Sequence, residues 1–173
     1  RLVEHPVRVS SALWVTPETD CSAIPANQSV KLFADGVIGS ATAMVREPFE
    51  CSTTHPHGVS SWQRSDFESK VRELANGVRD VYIHAIGDAA IDWVISAANG
   101  KKRIHIEHAE MLTADQIEKV VQLDIMVCFQ PLWARPDAMM RNAEKNLGLA
   151  RASKMYPMAL LEKSQGSFVF GSD

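Results

Sequence analysis

Short apolar runs alternate along this chain with longer stretches whose apolar residues recur every three or four positions. The runs "VRVSSALWV" (7–15), "SVKLFA" (29–34), "DVYIHA" (80–85), "RIHIEH" (103–108), "IMVCF" (125–129) and "SFVFG" (167–171) read as strands. "SDFESKVRELANG" (65–77) reads as a helix with Phe67, Val71, Leu74 and Ala75 on its apolar face. Ser65 is its expected cap, Glu68 the capping-box partner, and Gly77 its end. "DAAIDWVISAANG" (88–100) places Ile91, Val94, Ile95 and Ala98 on one side of a second helix. "TADQIEKVVQL" (113–123) opens with a second capping-box pattern, Thr113 and Gln116. "PMALLEKSQG" (157–166) has Pro157 for a first helical turn and Gly166 for an end. Residues 130–150 read as a loop with some helix. Residues 39–64 are rich in Ser, Thr, His, Pro and Gly without a period, too long for a plain connection, so a functional loop or lid is expected there.

Strand and helix in alternation mean βαβ units and a parallel sheet, an α/β fold. "VYIH" and "FVFG" are apolar on successive residues, which predicts strands covered on both faces. Part of an eight-stranded β/α barrel and an open doubly wound sheet both fit. A Gly-rich dinucleotide fingerprint would favour the second, and "GVIGS" (36–40) is too short to be one. The 173 residues suffice for one domain with a real core. A formal net charge of -3 and a pI near 6.1 give no reason to expect a nucleic-acid or anionic-membrane partner. Cys21, Cys51 and Cys128 are odd in number and far apart, so free thiols and a reducing, cytoplasmic compartment are expected. The chain opens at Arg1 without a methionine and stops at Asp173 directly after a strand. The expectation is a single fragment, 1–173, of a longer protein.

Candidate chemistry lies where polar residues meet strand ends. Lys31 sits inside "VKLFADG", where a buried ammonium is costly unless it is paired or chemically changed; a lysine snorkelling from an edge strand is the alternative. His84 ends "DVYIH", His108 ends "RIHIEH", and Asp173 follows "SFVFG". In a β/α barrel the carboxyl ends of the strands form the active-site face. Imidazole and carboxylate are standard ligands of a divalent metal such as zinc. Each of these residues also has a structural reading: a core histidine bonded to a carbonyl, or an aspartate in a turn. His105 and His108 alternate along a strand, so at most one is expected on the inner side. "HPH" (55–57) sits in a proline-interrupted loop, poor ground for a ligand pair. Trp93 is expected to pack within a helix, whereas Trp133 in "FQPLWARPD" is a candidate for lining a substrate pocket.

Taken together, "VKLFADGVIGSATAMVREPF", "VYIHAIGDAAID", "RIHIEHAEMLTADQI", "VCFQPLWARPD" and "FVFGSD" resemble, in order, the strand-4 to strand-8 segments of the amidohydrolase superfamily. The resemblance is to its amidohydrolase-3 group, which includes YtcJ-like proteins and N-substituted formamide deformylases. It implies a partial (β/α)8 TIM barrel of the metal-dependent hydrolase type, truncated at both ends. By this resemblance His84 and His108 are ligands of one metal, and Asp173 binds metal and shuttles the proton. Lys31 matches a position where related enzymes carry a lysine carboxylated by CO2, and a carbamate anion would resolve its charge conflict. The implied cofactor is a divalent metal, zinc first, one or two ions in the parent protein. The family's strand-1 H-x-H motif and the β-sandwich domain are absent from these residues.

The reading is a metal-dependent hydrolase of an amide- or formamide-like C–N bond in the parent protein, with a small-molecule substrate and a fragment inactive by itself. A barrel cut open exposes strand edges, so self-association is expected. The alternative is a non-catalytic binding or regulatory protein on the same scaffold. An open α/β binding domain with structural histidines is a third reading.

Overall fold

The six apolar runs become six strands: β1 (Ala12–Trp14), β2 (Ser29–Phe33), β3 (Val81–Ala85), β4 (Ile104–His108), β5 (Met126–Phe129) and β6 (Phe168–Phe170). The computed structural model describes residues 9–51, 53–100 and 103–173. All neighbouring strands are parallel, and their order in the sheet is their order in the chain. That order decides between the two architectures. A doubly wound sheet reverses its strand order at a switch point, whereas a β/α barrel adds each strand beside the last. The fold is therefore a partial β/α barrel, with a sheet that is not closed among the described residues.

Helices α1 (Arg64–Gly77), α2 (Asp88–Ala98) and α3 (Ala114–Gln122) connect successive strands. Three more, α4 (Ala138–Leu147), α5 (Leu149–Ala152) and α6 (Met158–Lys163), lie between β5 and β6. Alternation along the strands sends Val30, Leu32, Val81, Ile83, Ile104, Ile106 and Val127 into a core shared with Phe67, Val71, Leu74, Ile91, Val94 and Ile117. Full burial of each such side chain stabilises the fold by roughly 1.5–3 kcal/mol. The apolar faces expected of α1 and α2 are those that pack, and Trp93 stacks obliquely on Phe67 at 5.9 Å. The three cysteines are free thiols. Among the described residues, no helix is long and apolar enough to cross a membrane.

Several local expectations are corrected. The Thr113–Gln116 capping box forms, but the Ser65–Glu68 box does not. Helix α1 starts one residue earlier, with Gln63 at its N-cap, and Glu68 is drawn instead to Arg64 and Arg72 one turn away on either side. Strand β1 is shorter than expected, and residues 7–8 lie outside the described residues. Strand β6 is not covered on both faces: Val169 and Phe170 are exposed, because no further strand or helix of the described residues lies against them. The 39–64 stretch is no loose lid. Phe49 N–H donates to the Pro56 carbonyl, Glu50 N–H to Asn146, and the Trp62 indole N–H to the Phe33 carbonyl. Its buried Ala43, Val45 and Phe49 join Ile38, Ile86, Met111 and Leu147 in a second apolar cluster.

Candidate active site

The carboxyl ends of β2, β3 and β4 open into a cavity of about 460 Å³. Lys31, His84, His108, Asp173 and Trp133 all line it, so the five candidate residues read from the sequence share one space. Strand alternation explains Lys31 and His84: their neighbours Val30, Leu32 and Ile83 face the helical core. His108 arrives by a different route. Its φ is 76° and that of Ala109 is 49°, both left-handed, so the chain turns sharply at the end of β4. This overturns the expectation that only one of His105 and His108 reaches the inner side. His105 borders a second recess on the Lys31 side of the sheet, with Tyr82, Glu107 and Cys128, and its ring stacks on Tyr82 at 4.7 Å. His108 instead meets His84, ring centroids 4.6 Å apart and 64° from parallel.

Both imidazoles are held neutral. Burial lowers the His84 pKa, and burial together with the neighbouring His84 and Lys31 lowers that of His108 to about 4. His84 Nε2 lies 2.9 Å from the Gly36 carbonyl oxygen. A carbonyl only accepts, so Nε2 carries the proton and Nδ1 the lone pair. An outer hydrogen bond of this kind is what orients a ligating histidine. Burial also lowers the Lys31 pKa, against the opposing pull of Glu107 and Asp173. The Lys31 ammonium sits 5.6 Å from the Phe33 ring centre. Burial, followed by Glu107, pushes the Cys128 thiol up to about 12, which removes it as a nucleophile near neutral pH. Two adjacent neutral imidazoles fit a divalent ion as two of its ligands. Among the described residues no three His, Cys, Asp or Glu side chains stand close enough to hold one by themselves. His57 is occupied elsewhere, its Nδ1 3.1 Å from the Val45 carbonyl, and His55 is exposed.

The arrangement depends on residues that the sequence reading passed over. Asp35 is buried, and its carboxyl accepts N–H bonds from Met44 (2.8 Å), Ile86 (3.0 Å) and Gly87 (2.9 Å). It ties the end of β2 to the loop after β3 and so sets the Gly36 carbonyl beside His84. Burial pushes this carboxyl up to about 7, while the three amides pull the other way. Asp88 accepts from Arg46 N–H, and the Arg46 guanidinium bridges Asp92 and Asp115. Gly87 is required by close approach: a β-carbon there would collide with the Met44 carbonyl oxygen. Glu110 and Tyr156 also line the cavity, and the Tyr156 N–H donates to the Glu110 carbonyl at 2.7 Å. The only signal available for Asp35 and Glu110 was an acid within a few residues of a strand end.

A family model described as the amidohydrolase family, of the amidohydrolase-3 group, matches residues 14–173. The protein YtcJ of Bacillus subtilis, named as an amidohydrolase, is 29% identical over 115 residues, 63% of this chain and 21% of that protein. LONG AFTER FAR-RED 3 of Arabidopsis thaliana is 31% identical over 153 residues, 83% of this chain and 26% of that protein. This chain thus spans about a quarter of the length of these relatives. Among solved structures, an uncharacterized metal-dependent hydrolase of Pyrococcus furiosus superposes with a TM-score of 0.72 at 28% identity, over 84% of this chain and 30% of that one. A second, from Pyrococcus horikoshii, gives 0.70 at 31% identity, over 84% and 29%. Ochratoxinase of A. niger, at 16% identity and 0.55, shares the fold. With a parallel sheet in sequence order, paired strand-end imidazoles and a family match over nearly all of its length, the chain belongs to the amidohydrolase family.

Proposed function

We propose that this chain forms part of the active site of a metal-dependent hydrolase that cleaves an amide- or formamide-like C–N bond. The observation that carries the reading is the convergence of Lys31, His84, His108 and Asp173 on one cavity at adjacent strand ends. In this reading His84 and His108 hold a divalent ion, zinc first. Such an ion, when bound, lowers the pKa of water and polarises a carbonyl. The Asp173 carboxylate takes the proton of the attacking water and returns it to the leaving nitrogen. The lowered pKa of Lys31 favours the free amine, the form that adds CO2, which supports a carbamate at Nζ. Trp133 closes one wall against the substrate's apolar part. Turnover belongs to the longer protein, because the relatives' chains are about three times as long.

Calorimetric titration with zinc tests this. One site per chain is expected, abolished in the His84→Ala/His108→Ala double variant while circular dichroism shows an intact fold. Unchanged binding in that variant, or none in the unaltered chain, would leave the non-catalytic alternative in possession. A carbamate carbon signal with labelled bicarbonate, absent in Lys31→Ala, is the companion expectation; a bare lysine in the zinc-loaded chain removes the carbamate.

A further inference from the structure

We infer that Glu110, tied by Tyr156, is a substrate-recognition group that selects molecules presenting an N–H donor beside a bulky apolar or aromatic group. The inference rests on the reading of this cavity as the active site and adds the chemistry of what enters it. The cavity has two characters. Lys31, His84, His108 and Asp173 form a polar set, while Ile38, Trp133, Met139, Met140 and Met155 supply a mostly apolar wall. Glu110 stands among these apolar neighbours as a carboxyl group.

An acid in such surroundings is costly unless it is partnered. Among the described residues, no Lys, Arg or His forms an ion pair with Glu110. Its side-chain neighbour is the Tyr156 hydroxyl, a donor that pulls the carboxyl pKa down against burial. The Tyr156 N–H also donates to the Glu110 carbonyl at 2.7 Å, and Tyr156 has a left-handed φ of 54°. The two residues are thereby held to each other through the backbone. A carboxyl group has two oxygens and several lone-pair directions, and one hydroxyl donor does not use them all. With or without its proton, it keeps an oxygen able to accept from a ligand. In an apolar enclosure such an acceptor discriminates strongly, because a ligand without the donor leaves it desolvated and unpaired. The three methionines give the wall the adaptability to take differently shaped apolar groups, and their sulfurs favour aromatic ones.

The test uses two probes that differ in one N–H: N-benzylacetamide and N-benzyl-N-methylacetamide. Calorimetry or ligand-detected NMR measures their binding to the unaltered chain and to Glu110→Gln. The unaltered chain is expected to prefer the secondary amide by about tenfold, the worth of one well-made hydrogen bond to such a group. In Glu110→Gln the Tyr156 hydroxyl takes the amide oxygen and leaves an NH2, itself a donor, toward the ligand. The preference is then expected to fall below about twofold. No preference in the unaltered chain, or the same preference in Glu110→Gln, overturns the inference. Should the variant fail to fold, the carboxyl carbon of isotope-labelled Glu110 decides in the unaltered chain. It must shift on adding the secondary amide and not the tertiary one; equal response to both overturns the inference. Zinc titration of the same samples separates the two readings. Lost amide preference with intact zinc binding defeats this inference alone, and absent zinc binding with the preference retained defeats the hydrolase reading alone.

Discussion

Two glycines at neighbouring helix ends should respond to alanine with opposite signs. Gly87 precedes α2 with φ -77° and ψ 151°, a conformation alanine adopts freely. Backbone entropy alone would make Gly87→Ala stabilising by about 0.4–1 kcal/mol. Sterics oppose this, and they win. The new methyl would meet the carbonyl oxygen and carbon of Met44, which are backbone and cannot rotate away. Relief requires the Met44 segment or the start of α2 to shift. That shift strains the bonds joining them: Ala89 N–H to the Met44 carbonyl (3.1 Å), Arg46 N–H to Asp88 (2.8 Å), and Met44 and Gly87 N–H to Asp35 (2.8 and 2.9 Å). Overpacking costs about 1–3 kcal/mol. One or two weakened bonds to buried carboxylates add about 1.5–3 kcal/mol. The net expectation is a loss of about 1.5–5.5 kcal/mol, a fall in Tm of roughly 3–20 °C for a chain of this length. Gly77 is the control. It is the last residue of α1 and a β-carbon there meets nothing within 4 Å, so Gly77→Ala should stabilise by about 0.5–1 kcal/mol. Urea melts of the two variants beside the unaltered chain give both values. A Gly87→Ala midpoint equal to or above that of the unaltered chain would refute the close-approach argument.

Two further outcomes are expected. By proton NMR the His108 imidazole should titrate near pH 4, and because the unfolded chain takes up its proton near pH 6.5, stability relative to His108→Gln is fully present above pH 6.5 and falls by up to about 3 kcal/mol as pH drops from 6.5 towards 4; a His108 midpoint near 6.5 in the folded chain would contradict the burial described. We also propose that exposed Leu13 and Trp14 on β1, with Val169 and Phe170 on β6, drive self-association through the open edges; light scattering should show concentration-dependent mass that Trp14→Lys/Phe170→Lys lowers, and a monomer at all concentrations would dismiss it.

Much of the architecture was legible in local order. The short apolar run around Val81–Ala85 and the period-3.6 run around Asp88–Ala98 define strand and helix through patterns that each segment carries by itself. The Thr113–Gln116 box was readable because both its partners lie within one helical turn. The strand-end positions of His84, His108 and Asp173, with Lys31 inside its strand, pointed to one rim for the same reason: parallel strands bring their carboxyl ends together. The Ser65–Glu68 box failed because Glu68 had two arginines within a helical turn to choose from.

What the amino-acid order determined alone was therefore the α/β class, the succession of elements and the candidate donors at strand ends. The tertiary structure decided the sheet order that separates barrel from doubly wound sheet, the left-handed turn that swings His108 beside His84, and the enclosure of Asp35 and Glu110. The division has a physical cause. Dihedral preference and side-chain period act over a few residues, but the environment of an acid is set by whatever packs over it. For Asp35 that is the Ile86 and Gly87 amides, 51 and 52 residues away, and for Glu110 it is Tyr156 from beyond α5.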